Sequence, residues 1–478
     1  MYVDFKLIGS VVEVTVTDDG VMNGIFFQDE EMKRMYDSFP EIMFVDATYK
    51  LNDLHMPLYI FLVEEGNGES EVVAVWMVVV EDTVSISQMA EIFKKHNPSW
   101  EKTKTIMSDK DFIERDALTS QFPDSSILIC LFHVLRTFRR EITCDKLGIT
   151  SAERVLALEI MQKMAYAKTS DEYLVLHQEL KDTKLASVKD YFDTNWHPIK
   201  EQWVDGLKSE NITFMNRTNN RIECINQKLK SVITKYSSLP QFFSQLLVTL
   251  QSLRVERDHR ALTIFQKAPV TTFKLGSAEQ RYMQLVTPYA LSFVVRQLEL
   301  TKKVVIQPHD QSNVYEINSS DGIIHATVSK CSCAFNTSMQ LPCRHIFAVR
   351  SIATLDLYSA ELCANRWTLA YYQSKHRILA EPCSDYGDSS ITISEQAVRT
   401  KPILSQHDKY HKAFRVTQKL TSILSEAPMR EFEEKLGTVK KLIQIWQDGS
   451  EVMLQNVSDE STGTYVAITI ANPDMVKL

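Results

Sequence analysis

The chain has 478 residues and a formal net charge of −8, and 44% of its residues are hydrophobic and 24% charged. This length allows about two to four domains, and the composition is that of an ordinary soluble protein. Bulk electrostatics exclude a uniformly basic nucleic-acid binder, and the longest apolar runs (56–63 and 72–80) are far shorter than the roughly 20 residues that span a bilayer.

The cysteines and the N-terminus indicate the compartment. Eight cysteines are spread along the chain, which is unlike the dense disulfide framework of a small secreted domain. No basic segment followed by an apolar run and a small-residue cleavage site opens the sequence. We therefore expect an intracellular, reducing location and no membrane partner.

The N-terminal half predicts a mixed sheet. After a short segment over residues 1–38, three apolar, β-branched runs separated by turn formers predict consecutive strands at 42–49, 56–64 and 70–80. The elements predicted next are a helix at 86–96, a strand at 104–109, a helix at 111–121, a strand at 125–132 and a further helix. Three strands followed by alternating strands and helices are typical of a mixed α/β sheet covered by helices.

The rest of the chain is mainly helical in its apolar spacing. Residues 150–212 predict an all-helical insert, and the next helix places Glu223, Asn226 and Lys230 on one polar flank. The remaining predicted regions are a helical connector (261–300), a region of short strands and a helix that holds four candidate metal-ligating residues (301–352), and a helical C-terminal region (353–478).

The positive charge is concentrated in one stretch. Residues 216–260 contain eight Lys or Arg against three acids, a local net charge of +5. A solvated helical face and a phosphate-binding face explain such a run equally well, and both interpretations stay open.

The sequence "KCSCAFNTSMQLPCRHI" (330–346) has the residues of a metal site. Cys331 and Cys333 follow a predicted strand, on which alternate residues project to the same side, and Cys343 and His345 lie where a helix begins. Three thiolates and one imidazole complete a tetrahedral zinc sphere and leave no open position. This predicts one structural Zn²⁺ rather than a chance cluster of buried cysteines beside a histidine, because soft ligands in two tight pairs rarely occur without a metal.

Three acids form a second candidate site, and each has a structural alternative. Asp46 interrupts an apolar strand, where a carboxylate needs a partner or a metal. Asp109 ends a predicted strand, where it could cap the next helix. Glu223 stands three residues after Asn220, where it could close a capping box.

The cysteine and histidine spacing resembles the SWIM-type zinc finger. "LCANRWTLAYY" (362–372) is similar to the Arg-Trp segment that often follows SWIM fingers in Mutator-like transposases. The resemblance implies that the finger meets DNA or protein partners rather than carrying chemistry.

Three further blocks, at 39–50, 106–136 and 218–230, resemble the Mutator-like (MULE) transposase domain in order. The resemblance implies a ribonuclease H-like DDE fold over 39–260, in which Asp46, Asp109 and Glu223 hold Mg²⁺ or Mn²⁺ for phosphoryl transfer. Cys130 and His133 match the C-x-x-H feature of that family. From the residues alone, a buried cysteine beside a helix-start histidine and a second zinc site both remain open.

Together these features resemble vertebrate SWIM-type zinc finger proteins that derive from such elements, which implies a nuclear location and DNA or chromatin partners. Residues 1–38 are fewer than a separate DNA-binding domain needs, so we expect recognition of element ends to be missing. Three hypotheses follow: a DNA- or chromatin-binding protein, an active DDE transposase or nuclease, and a protein-protein adaptor. The oligomeric state is left open.

Overall fold

The computed structural model describes residues 10–16, 22–109, 112–208, 211–266, 273–306, 314–319, 322–379, 417, 420, 424–425, 427–448, 451–459 and 463–471. They divide between two compact units, 1–383 and 384–478.

A mixed sheet forms the centre of the first unit. Within the described residues it has seven strands: β1 (Val11–Val16), β2 (Met22–Gln28), β3 (Ile42–Thr48), β4 (Leu58–Glu64), β5 (Ser70–Val78), β6 (Thr105–Ser108) and β7 (Ser126–Ile129). Their order is β1-β2-β5-β4-β3-β6-β7. The pairs β3–β6 and β6–β7 are parallel and the other pairs are antiparallel.

Helices cover the sheet and extend the unit. They are α1 (Glu30–Ser38), α2 (Thr83–His96), α3 (Phe112–Gln121), α4 (Leu131–Glu141), α5 (Cys144–Leu147), α6 (Ser151–Ala165), α7 (Ser170–Asp182), α8 (Ala186–Asn195), α9 (Asn220–Val232), α10 (Leu239–Gln266), α11 (Ala278–Leu285), α12 (Pro288–Leu300), α13 (Ala334–Met339), α14 (Arg344–Ile352) and α15 (Leu369–Lys375).

Side chains alternate between the two faces of the sheet, and each face has its own core. Phe26, Val45 and Trp76 pack against α1, α2 and α3 on one face. Phe44 and Leu62 pack against α9 to α12 on the other face. The predicted mixed α/β architecture is therefore confirmed, with β3, β4 and β5 within two residues of the predicted strands at both ends.

The treatment of residues 1–38 as a separate N-terminal segment is wrong. β2 pairs with β5 and β1 pairs with β2, so both extend the same sheet, and α1 packs on it. One strand end also differs from the prediction: the strand expected at 125–132 ends at Ile129, because α4 begins at Leu131.

The region predicted as an insert has its own core. Helices α6, α7 and α8 bury Met161, Tyr173 and Phe192 together with Phe138 of α4 and the indole of Trp203. Two 3₁₀ helices, His197–Gln202 and Gly206–Lys208, lead the chain back towards the sheet.

The region predicted as a connector is helical but also contributes to the core. α11 and α12 bury Tyr282, Val294 and Leu298 against the same sheet face as α9. A hairpin of β8 (Tyr315–Ser319) and β9 (Gly322–Ala326) follows and leads into the cysteine motif.

The Arg-Trp segment joins this motif to the sheet. Arg366 is 3% exposed. Its Nη1 donates a hydrogen bond to the Glu41 carboxylate and its Nη2 donates one to the carbonyl O of Glu64, both over 2.5 Å. Its guanidinium lies 3.7 Å from the centre of the Phe214 ring. The guanidinium thus contacts β4 and the segment before α9 at once.

Trp367 completes the joint. Its indole is fully buried, and its Nε1 donates to the carbonyl O of Met339 at the end of α13 over 2.6 Å. The ring packs edge-on against Phe214 and beside Tyr289 of α12. The cysteine motif is therefore anchored in the same core as the sheet rather than tethered by a linker.

The second unit contains α16 (Met429–Gln447) and a hairpin of β10 (Glu451–Asp459) and β11 (Gly463–Ala471). The prediction of a helical region over 353–478 is wrong for Glu451–Asp459 and Gly463–Ala471, which pair as two antiparallel strands, the second of them rich in β-branched residues. Residues 380–416, on which part of this prediction falls, lie outside the described residues.

Candidate functional site

The carboxyl ends of the parallel strands bring two predicted acids together. Phe44 of β3 pairs with Met107 of β6. Two residues further along each strand this register places Asp46 beside Asp109. The same extension from β6 to β7 places Asp109 beside Cys130, whose backbone N–H donates to the carbonyl O of Ser108 over 3.0 Å. Asp46, Asp109 and Cys130 therefore occupy neighbouring positions at one edge of the sheet.

Helix α9 brings the third acid to this edge. Its N-cap residue Asn219 donates Nδ2 to the carbonyl O of Val45 (3.3 Å) and to that of Met107 (3.5 Å), while its backbone N–H points at the Cys130 sulfur over 3.0 Å. The helix is thus fixed across three strands. The N-cap is Asn219 and the helix already begins at Asn220, so the alternative of a capping box between Asn220 and Glu223 is wrong.

His133 lies between the acids, which sequence reasoning did not foresee. Its Nδ1 is 3.7 Å from Asp109 Oδ1, and its Nε2 is 3.3 Å from Glu223 Oε1. Burial lowers the pKa of His133, but hydrogen bonding to Cys130 and the charges of Asp109 and Asp46 outweigh this and raise it to about 9. The imidazole is therefore protonated at neutral pH and partly neutralises the carboxylates. We call Asp46, Asp109, Glu223 and His133 the acidic edge.

Asn226, one turn along the polar flank of α9 from Glu223, was also not predicted to act at the site. It is buried and donates Nδ2 to Asp46 Oδ2 over 2.8 Å. This bond fixes the orientation of the Asp46 carboxylate. The sequence places Asn226 and Glu223 on one helical flank. The contact of Asn226 with Asp46 depends on the packing of α9 against β3, which the sequence does not show.

The electrostatics of the acidic edge favour a divalent cation. Burial raises the pKa of Asp46 to about 6, and the charges of Asp109 and Glu223 add to the rise while His133 opposes it. Among the described residues, Glu223 Oε1 is buried and has no hydrogen-bond partner. The oxygens of these three carboxylates could hold Mg²⁺ or Mn²⁺, whose charge would offset their mutual repulsion.

The three carboxylates do not form one tight set. Within the described residues, the group at this edge whose ligand atoms all lie within 4.8 Å of one another consists of Cys130, His133 and Glu223. One of the three acids thus lies in a tight group with a thiol and an imidazole, and the other two lie outside that group. The catalytic role of Asp46, Asp109 and Glu223 stays a prediction.

A first prediction concerns pH and stability. In zinc-loaded protein without added Mg²⁺ or Mn²⁺, Asp46→Asn should raise the Tm at about pH 7.5. The folded-state pKa of Asp46 lies above its ordinary value of 3.8, so its stabilising contribution is present at low pH and is lost as pH rises through about 6. Thermal melts from pH 7.5 down to about pH 5 should show the gap between variant and wild type closing. A Tm gap that does not depend on pH would contradict this reasoning.

The predicted zinc ligands converge as a second centre. Cys331, Cys333, Cys343 and His345 are all buried, and their ligand atoms lie within 4.8 Å of one another. His345 Nδ1 is 3.6 Å from Cys331 Sγ and 3.8 Å from Cys343 Sγ. A tetrahedral zinc ion with ordinary bond lengths separates sulfur and nitrogen ligands by about 3.5 Å. The cluster can therefore bind one zinc ion, and we call these residues the zinc cluster.

The surrounding backbone prepares the sulfurs for a cation. The N–H of Cys333 points at Cys331 Sγ over 3.4 Å, and the N–H of Asn336 points at Cys333 Sγ over 3.5 Å. Hydrogen bonds from Cys331 and Cys343 lower the pKa of Cys333, while the pairing with Cys333 raises the pKa of Cys331 to about 12. The sulfurs therefore interact strongly with one another, and zinc binding would displace protons from the thiols.

Asn336 is a supporting residue that the ligand spacing did not reveal. Its Oδ1 accepts from the backbone N–H of Cys331 at 2.9 Å, and its Nδ2 donates to the carbonyl O of Leu341 at 2.8 Å. These bonds hold the first ligand pair against the loop that carries the second pair. Removing the side chain would loosen both pairs.

The basic stretch has a mainly structural role. Six of its eight cations form salt bridges with acids: Arg217 with Asp205, Arg221 with Glu64, Lys228 with Glu256, Arg254 with Asp29, Arg257 with Glu71, and Arg260 with Glu69 and Glu256. Lys230 and Lys235 are exposed. The local net charge of +5 therefore overstates the positive charge that this stretch would present to a phosphate backbone.

Comparison with known proteins supports the resemblance. Residues 5–128 match the family described as zinc finger SWIM domain-containing protein 1/3, RNaseH-like domain. Over 381 residues the chain is 21% identical to Protein FAR-RED IMPAIRED RESPONSE 1 of Arabidopsis thaliana, an alignment that covers 74% of this chain and 43% of that protein. The chain thus spans less than half of that relative's length.

These matches confirm the predicted resemblance to SWIM-type proteins derived from Mutator-like transposases, and the RNaseH-like fold. The matched family region begins at residue 5 and includes β1 and β2, in agreement with their place in the sheet. Among the residues that the structure describes, no helix combines the length and the apolar character needed to cross a membrane.

Proposed function

We propose that this chain is a transposase-derived nuclear protein that binds DNA, free or in chromatin, through its RNaseH-like acidic edge and its SWIM zinc finger. The observation that supports this most directly is the convergence of Asp46, Asp109 and Glu223 from two parallel strands and α9. Such an arrangement has no packing purpose, because it concentrates mutually repelling carboxylates at partly buried positions.

The acidic edge would engage the phosphodiester through divalent cations. Bound Mg²⁺ or Mn²⁺ would supply charge neutralisation and an acidified water molecule. The chain's own residues orient the carboxylates, since Asn226 holds Asp46 and the start of α9 is fixed by Asn219. His133 Nε2 lies 3.3 Å from Glu223 Oε1, where a protonated imidazole would balance charge as ligands enter and leave.

The enzyme alternative, an active DDE transposase or nuclease, follows from the same geometry. Under this hypothesis, Mg²⁺ or Mn²⁺ should support nicking of supercoiled plasmid DNA. Asp46→Asn should reduce the rate by roughly a hundredfold or more, since one ligand of the cations and its charge are removed. A time course of relaxed plasmid on agarose gels measures this rate.

Asp124→Asn provides the matched control. Asp124 is exposed on the loop before β7, at the opposite edge of the sheet from the acids, so its removal should leave nicking unchanged. Cleavage that survives Asp46→Asn would reject the acidic triad as its source. Metal-dependent DNA binding without nicking would support the binding function alone.

The adaptor alternative is favoured by one observation, the pairing of most of the basic stretch with acids. It predicts that DNA affinity is absent or insensitive to salt. The proposed function predicts instead that log K falls linearly with log salt concentration, by about one for each phosphate contact. Fluorescence anisotropy with a labelled duplex over a range of salt concentrations separates the two.

A further inference from the structure

A cleft of about 390 Å³ opens between the insert and the zinc finger, beside the acidic edge. One wall comes from the insert (Lys168, Asp205, Gly206 and Lys208), another from Thr213 and residues 215–217, and the third from the finger, including Phe335 and Arg344. All three walls belong to the first compact unit. None of the four residues of the acidic edge lines this cleft.

Lys208 is the most unusual residue of the cleft. It is 6% exposed, and within the described chain its Nζ has one acceptor, the carbonyl O of Ile129 at 3.0 Å. Burial lowers its pKa to about 8, so the ammonium still predominates at neutral pH. An ammonium group has three donors, so two remain for a ligand at a place where water access is limited.

The charges lining the cleft favour an anion. Four cations (Lys168, Lys208, Arg217 and Arg344) face one carboxylate, Asp205, which gives a net charge of +3. A zinc ion with three thiolates would contribute −1 and leave +2. Asp205 already binds both Lys168 and Arg217, with 2.9 Å between Arg217 Nε and Asp205 Oδ1. A single carboxylate therefore cannot neutralise this side of the cleft.

The middle wall is a strained segment. Phe214 and Met215 have φ angles of +48° and +62°, a region that costs a side chain about 1–3 kcal/mol. Ser338 of the finger stabilises this conformation, because its Oγ accepts from the N–H groups of Thr213 and Met215, each at 3.2 Å. Met215 is 39% exposed as a result and offers an apolar contact beside the cations.

The cleft and the acidic edge are directly connected. The backbone N–H of Leu131 donates to the carbonyl O of Arg217 over 2.9 Å, one residue beyond Cys130. Lys208 holds the carbonyl O of Ile129, the last residue of β7. A nucleic-acid backbone that lies along the acidic edge would therefore reach the cleft close to the acids.

We propose that this cleft binds a backbone phosphate of a nucleic-acid strand, with Lys208 and Arg217 as donors and the adjoining sugar or base against Met215 and Phe335. The inference rests on the proposed DNA-binding function and gives it a specific anchoring point. It also gives the finger a role, since Phe335, Ser338 and Arg344 form one side of the cleft.

The test uses the full, zinc-loaded chain and a fluorescein-labelled single-stranded oligodeoxynucleotide in anisotropy titrations. Lys208→Met keeps the length and apolar stem of the side chain but removes the charge, and Arg217→Gln removes the second donor. Each variant should weaken binding about tenfold and make the salt slope shallower by about one. Lys208→Arg should keep the slope, and Lys181→Met, an exposed lysine of α7, should change neither quantity.

Thermal melts and zinc content establish that each variant is folded, and Arg217→Gln decides the question if Lys208→Met does not fold. If the wild type binds the oligonucleotide and both variants bind it with the same affinity and salt slope, the cleft is not a phosphate site. The proposed function would still stand. No binding by the wild type would overturn the proposed function itself. A loss of affinity for a poly-glutamate peptide without any loss for the oligonucleotide would assign the cleft to an acidic protein partner instead.

Discussion

Cys331→Ser is expected to abolish zinc binding and to loosen the finger around the ligands. Within the described residues, the small core around the zinc cluster has nine buried members, three of them cysteine ligands, so this part of the finger depends on the metal. The far side of the finger stays anchored in the sheet core through Met339, Leu341 and Phe347. Zinc-finger peptides gain about 10–16 kcal/mol from the metal near neutral pH, and a hydroxyl is a poor substitute for a thiolate ligand. Metal analysis should fall from one zinc per chain to none, and the Tm should drop.

Cys363→Ser is the matched control for this experiment. Cys363 is also a buried cysteine of the same region, at 7% exposed, but it packs in the core under the sheet and is not part of the zinc cluster. Burial raises the pKa of its thiol to about 12, so it stays protonated. This variant should keep one zinc ion. A folded Cys331→Ser protein without zinc and with an unchanged Tm would contradict a structural zinc site.

Strong local patterns made the central part of the fold predictable. The β-branched runs of β3, β4 and β5 indicate strands by composition alone, and the C-x-C and C-x-H pairs indicate ligands by chemistry alone. The same kind of signal existed where the prediction was wrong. β1 reads Val-Val-Glu-Val-Thr-Val with alternating burial, and β11 is also rich in β-branched residues. Both strands could therefore have been predicted from an alternation with a period of two.

The arrangement of the acidic edge was only partly predictable. That Asp46 and Asp109 meet follows from parallel neighbouring strands, but the sequence does not state that β3 and β6 are neighbours. His133 acquires its position from the turn of the chain at Cys130, where α4 starts directly after β7. Its place between two carboxylates depends on α9, which packs there from about ninety residues further along the chain.

Local charge counting failed for a similar reason. Arg221 and Arg257 pair with Glu64 and Glu71, which lie more than 150 residues earlier in the chain. Both acids are buried, and a buried carboxylate needs such a partner. The cations of α9 and α10 therefore hold the helices on the sheet. Lys208, the buried cation of the cleft, could not be predicted from the sequence, because a single lysine forms no cluster of charge.

Trp367→Ala is expected to lower the free energy of unfolding of the first unit by about 3–5 kcal/mol, the usual cost of truncating a fully buried tryptophan. Two effects lower the free energy of unfolding: a cavity forms next to Phe214 and Tyr289, and the carbonyl of Met339 loses its indole donor. Urea unfolding followed by circular dichroism measures the change. Trp446→Ala, at an exposed tryptophan of α16, should cost much less and serves as the control.

The same variant separates zinc binding from docking of the finger. No atom of Trp367 belongs to the zinc cluster, so Trp367→Ala should keep one zinc ion although the unit is less stable. Phe214 would lose the ring that packs against it, and the strained segment at Phe214 and Met215 would be left with the contacts of Ser338, Arg366 and Asn216. Oligonucleotide affinity should therefore fall while zinc is retained, because the cleft loses its shape before the finger loses its metal. Loss of zinc in this variant, or an unchanged free energy of unfolding, would show that the finger is not anchored through Trp367.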